Sequence, residues 1–151
     1  MVHKIRQTQL LPISIDRAWD YFSNPVNLNE ITPKDMKFRI LSDLPQKVYP
    51  GLIILYKVNI FRGITVDWAT EITQVQEKNY FVDEQRFGPY SMWHHEHHFK
   101  EVPQGVEMVD VIHYKLPFGK FGNLFHGLLV KPKLDRIFKF RQLALDNKYP
   151  R

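Results

Sequence analysis

Residues Gly88 to Phe118 constrain the fold of this chain more than any other stretch. GPYSMWHHEHHFK runs into a VPQGV reversal and out through EMVDVIHYKLPF, two long segments that read together as one antiparallel hairpin. Successive side chains of a strand face opposite ways, so Trp93, His95, His97 and Phe99 share one face while Met92, His94, Glu96 and His98 share the other. Five of the seven histidines lie on these two strands. A sheet face that mixes aromatics with imidazoles suits the wall of a pocket.

The turn leaves two pairings open. Pro103 and Gly105 fit a type I turn followed by a left-handed bulge position, and a bulge shifts the register by one residue. With Val102 opposite Val106, the Trp93/His95/His97/Phe99 face meets Val109, Val111 and His113. Slipped by one, it meets Met108, Asp110, Ile112 and Tyr114. The choice decides whether Asp110 reaches a histidine.

The flanking sequence supplies more strands and two kinds of helix. His3 to Leu11 reads as a first strand closed by Pro12, which offers no ladder donor. Ser14 then fits a helix N-cap, with Ile15, Ala18, Trp19 and Phe22 at helical spacing; Asn24–Pro25 stops this helix, and a second short helical piece precedes Pro33. From Met36 the period becomes two, with Phe38 and Ile40 on one face. A PQKVYPG connection leads into LIILYKVNIF, Arg62–Gly63 predicts a hairpin turn, Ile64 to Thr73 alternates, and Glu77–Lys78–Asn79 turns the chain into YFVDEQRFG. After Pro117 the spacing of Phe121, Leu124, Phe125, Leu128, Leu134, Phe138 and Leu145 is helical, and Pro132 predicts a kink or restart near Lys131.

At 151 residues the chain fits one domain spanning 1–151. It contains no cysteine, which excludes thiolate chemistry and disulfides. MVHKIRQTQLLP lacks the apolar core of a signal peptide, and no later run approaches a membrane span, so the expectation is a cytoplasmic protein without an integral membrane segment. The net charge is +5. The basic residues from Lys115 to Arg151, Arg141 among them, are spaced between apolar ones as on a solvated helix face, so no nucleic-acid partner is expected. No glycine-rich phosphate loop, nucleophile elbow, HExxH or EF-hand pattern is present, and no cofactor is expected.

His95 and His97 are the sharpest candidates, projecting from one face about 6–7 Å apart by strand rise. His-x-His alone carries no metal assignment, so the expectation is no metal, and a structural or ligand-orienting role leads over proton transfer. Asp110 stands in an otherwise apolar strand. Facing inward it needs a partner, and His97, Tyr114 and Arg141 are the candidates. Asp83 and Gln85 pose the same question less forcefully. His94, Glu96 and His98 read as an exposed polar face. Trp68, Phe81, Trp93, Phe99, Tyr114, Phe125 and Phe138 are expected to line a cavity, the 14% aromatic content exceeding what a packed core alone needs.

One strand, two short helices, a strand meander and a long C-terminal helix is the element order of the helix-grip fold. The chain resembles the START-like (SRPBCC) superfamily, which includes birch-pollen-allergen-like proteins and polyketide cyclase/dehydrases. Within it the chain is most similar to a bacterial subgroup of ligand-binding domains, through Trp19, Ile31 to Pro33, Trp68, Gly88 to Tyr90, Trp93-x-His95-x-His97-x-Phe99, Asp110 and Leu116 to Gly119. The resemblance implies an α+β fold with a curved antiparallel sheet of about seven strands wrapped around the long helix. It also implies a cavity between them for a small hydrophobic or amphipathic molecule, lipid-like, aromatic or polyketide-like. The alternative it implies is a cyclase, dehydratase or isomerase using His and Asp groups. Catalytic residues and oligomeric state are not assigned by these patterns.

Overall fold

The computed structural model describes every residue except Arg62. The elements in order are β1 (His3–Leu11), α1 (Ile15–Phe22), two short 3-10 turns (Pro25–Ile31 and Lys34–Met36), β2 (Arg39–Ile40), β3 (Ile53–Phe61), β4 (Ile64–Gln76), β5 (Tyr80–Phe87), β6 (Met92–Val102), β7 (Gly105–Lys115), α2 (Gly119–Phe125), a π-helical segment (His126–Val130) and α3 (Lys131–Lys148). The strands form one antiparallel sheet in the order β1-β7-β6-β5-β4-β3-β2. Register shifts between β3 and β4 and twice between β4 and β5 let the sheet curve around the long helix. The expected strand around Phe38 shrinks to Arg39–Ile40, because the Lys34–Met36 turn and a left-handed Lys37 take up its start. The hairpin turn expected at Arg62–Gly63 falls on Arg62, outside the described residues.

Local signals account for the joints. Ser14 Oγ accepts from the Arg17 amide at 3.3 Å and caps α1. Pro132 sits in the first turn of α3, directly after the π-helical segment, so the C-terminal helix changes winding where the missing donor requires it. Gly105 has φ of +136°, and a Cβ there would lie 2.1 Å from the Leu11 carbonyl oxygen. Only glycine fits the turn beside β1.

The hairpin takes the slipped register: Val102 pairs with Gly105, Phe99 with Met108, His97 with Asp110, His95 with Ile112 and Trp93 with Tyr114. This choice organises the interior in layers. Under α1, Trp19 packs edge-on against Phe81 and Phe99, in a cluster with Phe22, Met108 and Leu145. Toward the start of α3, Ile112, Tyr114, Leu134 and Phe138 form a second cluster. Between them along β6, β7 and α3 come His95 and His97, Asp110 and Arg141, all buried. A polar layer therefore separates two apolar ones.

Candidate functional site

Three adjacent strands and one helix assemble the polar layer. Asp83 on β5 is the cross-strand partner of His95, and Asp110 on β7 that of His97, so inward-facing side chains from β5, β6 and β7 meet. Helix α3 buries one stripe, Leu134, Phe138, Arg141 and Leu145, and Arg141 on that stripe reaches the carboxylates. His95 Nε2 lies 2.9 Å from Asp110 Oδ1 and His97 Nε2 lies 2.6 Å from Asp83 Oδ2. His95 Nδ1 is 3.7 Å from Asp83 Oδ2, and an Arg141 terminal nitrogen is 3.3 Å from Asp110 Oδ1. His97 Nδ1 is 3.1 Å from Asp110 Oδ1 but lacks the alignment of a hydrogen bond. The two imidazole centroids stand 3.8 Å apart, closer than strand rise alone suggests, because both rings lean toward the same pair of carboxylates.

Burial and charge oppose each other here, and the outcome differs for each group. Burial raises the Asp110 carboxyl, but Arg141 and the two histidines outweigh it and hold it well below the usual range. Asp83 is likewise raised by burial and then brought below its ordinary value by His95, His97 and Arg141. For His95, burial and the neighbouring His97 charge prevail and its pKa falls. For His97, burial is outweighed by Asp110 and Asp83, and its pKa rises. The state these shifts favour has both aspartates ionised, Arg141 and His97 cationic and His95 neutral, and its charges balance. That balance is what makes four charged side chains tolerable in a buried layer. Asp83, His95 and His97 also present donor atoms within 4.8 Å of one another, residue types a divalent metal can take. Those atoms are engaged with one another, and Arg141 already supplies neighbouring positive charge.

A cavity of about 560 Å³ lies between the sheet and the C-terminal helix, and its wall is mostly apolar. Of the residues singled out from sequence, Trp68, Phe81, Trp93, His95, His97, Phe125 and Phe138 line it. The other three lie off its wall. Phe99 packs between Trp19 and Phe22, Tyr114 bonds His126 through its hydroxyl at 2.7 Å, and Asp110 lies behind the imidazoles. Asp83 and Arg141 also line the cavity, as does a Tyr56–Thr70 hydroxyl pair 3.2 Å apart. Two signals mark them in retrospect: Asp83 follows Phe81 by two residues and so shares its face, and Arg141 falls on the helical repeat of Phe138 and Leu145. Arg141 is thereby a correction to the solvated basic face. The cavity wall also carries Trp68, whose buried indole N–H has no acceptor among the described residues.

The other face of β6 is half-buried rather than freely exposed. His94 bridges Glu84 at 2.9 Å and Glu96 at 3.2 Å, and His98 lies 2.7 Å from Glu96. Burial lowers the His94 pKa, but the two glutamates together raise it.

No family model and no curated sequence matches the chain. Solved structures do. The Zhui aromatase/cyclase from Streptomyces sp. R1128 superposes with a TM-score of 0.74 at 12% identity, covering 99% of this chain and 94% of its own. A protein from Thermus thermophilus gives 0.68 at 15% identity over 95% of this chain and 97% of its own. Ara h 8.0201 gives 0.60 at 15% identity over 96% and 98%. At such identities the likeness speaks of architecture alone. With its seven-stranded antiparallel sheet, short helices after the first strand and long C-terminal helix, the chain has the helix-grip fold that these structures share.

Proposed function

We propose that the protein binds a small amphipathic molecule between sheet and C-terminal helix, apolar body against the aromatic wall and polar end at His95, His97, Asp83 and Arg141. The observation that carries this reading is a largely apolar 560 Å³ cavity whose wall includes one side of a buried ionic layer. Its size is that of ordinary small-molecule sites, and a few convergent polar groups in an apolar pocket are what orients a ligand. Because His97 and Arg141 are the cationic members of the layer, the polar end is a carboxylate, enolate or other oxygen-rich group. Titration with a fluorescent fatty acid and with its methyl ester tests this. Saturable binding is expected, with the acid favoured over the ester and that preference reduced about tenfold, roughly 1.4 kcal/mol, in His97→Gln. Absence of saturable binding by either probe overturns the reading.

A second reading, an enzyme of cyclase, dehydratase or isomerase type, is favoured by the opposite protonation of two imidazoles on one wall. With Nε2–H donated to Asp110, His95 keeps the Nδ1 lone pair as a base, while His97, held between Asp83 and Asp110, stays cationic beside it. The solved relative named as an aromatase/cyclase shares this architecture. Single His95→Gln and His97→Gln variants offered an aromatic polyketide-like substrate separate the readings. Retained binding with lost turnover supports catalysis, and unchanged turnover removes it.

A further inference from the structure

The segment from Phe118 to Leu129 is apolar on more than one side. Phe118, Phe125 and Leu129 line the cavity. Phe121, Leu124 and Leu128 do not, and they are 76%, 67% and 74% exposed. Their spacing places them on one side of the helix, away from the residues that close the cavity. A helix that is apolar all round is normally buried, and an exposed patch of this kind marks a surface that something covers. The segment is nonetheless held in place: the Tyr114 hydroxyl bonds His126 at 2.7 Å, and His3 stacks on the His126 ring at 3.6 Å. Its outward face is thus presented by a fixed scaffold.

The surrounding charge says what covers it. From Val111 to Leu134 the chain contains no aspartate or glutamate, while Lys115, Lys120, Lys131 and Lys133 fall within it. Lys131 is paired with Asp135 at 2.7 Å, and Lys133 lies 5.1 Å over the Phe61 ring at the end of β3. Lys115 and Lys120 precede the apolar residues in the chain. Phe61 and the neighbouring Ile64 are themselves exposed, and Phe61 lines the cavity. Exposed apolar side chains of the cavity wall, Phe61 on one side and Phe118, Phe125 and Leu129 on the other, thus lie on stretches that carry lysines. Large apolar side chains on a stretch with four lysines and no acidic residue, bounded by the paired Asp135 and by Asp35 held by Arg136, match the interface of an anionic bilayer.

We propose that α2 and the π-helical segment dock the protein on an anionic lipid surface, with Phe121, Leu124 and Leu128 inserted among the headgroups and the cavity opening against the membrane. This docking does not depend on what fills the cavity. The expected modest affinity combines burial of three apolar side chains with a contribution from each lysine near the surface.

Co-sedimentation with vesicles tests it, using phosphatidylcholine alone and phosphatidylcholine containing about a quarter phosphatidylglycerol. The full chain is expected to bind the phosphatidylglycerol vesicles at low ionic strength at least about tenfold better than the neutral ones, and to lose this on raising salt toward 1 M. The double variant Leu124→Ser/Leu128→Ser should lose most of the binding with unchanged circular dichroism and unchanged fatty-acid titration, since neither residue lines the cavity. Lys120→Glu should weaken it with the apolar face intact. Failure of the full chain to bind either vesicle overturns the proposal, as does a double variant that binds equally well. A concentration-dependent dimer that the double variant abolishes, without vesicle binding, assigns the face to a second copy and overturns it too.

Discussion

The two faces of β6 both set histidines beside carboxylates and give different electrostatic outcomes. Outward, His94 and His98 meet Glu84 and Glu96 in partial contact with solvent, an arrangement that water and salt can screen. Inward, His95 and His97 meet Asp83 and Asp110 with Arg141 as the fifth member; burial and the His97 charge lower His95, while the two aspartates outweigh burial and raise His97. Identical chemistry one residue apart becomes a surface network on one side and a charge-balanced buried layer on the other. The pleat decides which.

The largest expected difference is in stability. Asp110→Ala leaves Arg141 and His97 without their shared carboxylate inside the protein, and should cost about 3–5 kcal/mol in urea denaturation. Glu96→Ala on the outer face should cost about 0.2–1 kcal/mol. Equal costs would erase the contrast between the faces.

The next difference is in pH dependence. The folded pKa of His97 is raised, so its contribution is fully present below the unfolded value of about 6.5 and is lost as pH rises through the folded value. His95 is lowered, so stability falls as pH drops below that same unfolded value. Asp83 and Asp110 are lowered as well, and their contribution is lost only as pH falls through their depressed values. Thermal denaturation followed from acid to alkaline pH should therefore show losses on both sides of neutrality, and His97→Gln should reduce the alkaline one, leaving only the share of the likewise raised, half-buried His94. A variant that keeps the alkaline loss undiminished shows that another group causes it.

Salt gives a smaller effect. Raising it to about 1 M should weaken the His94–Glu84 and His94–Glu96 pairs measurably in a double-mutant cycle, while the coupling of His95 to Asp110 stays within about 0.5 kcal/mol. The smallest change expected is His98→Gln, within about 0.5 kcal/mol in the same denaturation assay.

Much of this contrast was legible in the sequence. Strand alternation separated His95 and His97 from His94 and His98, and the capped helix, the meander and the proline restart followed from local chemistry. The register of the hairpin was not legible, because Pro103-Gln104-Gly105 is compatible with two pairings and local turn chemistry does not choose between them. Asp83 was underweighted because it sits among polar neighbours in YFVDEQRFG, where its inward direction shows only through Phe81 two residues earlier. Arg141 reads two ways in the sequence, as a partner for an inward Asp110 and as one of a run of basic residues on a solvated helix face, and the structure takes the first. Phe99 and Tyr114 have the spacing of cavity residues, yet the first is taken up by α1 and the second by His126.

The most direct test of the account follows the imidazole signals by nuclear magnetic resonance while a fatty acid is titrated into the protein. Binding against the inner face of β6 predicts that the His95 and His97 resonances shift saturably while those of His94 and His98 stay in place. Shifts of the outer pair with the inner pair unmoved would contradict it.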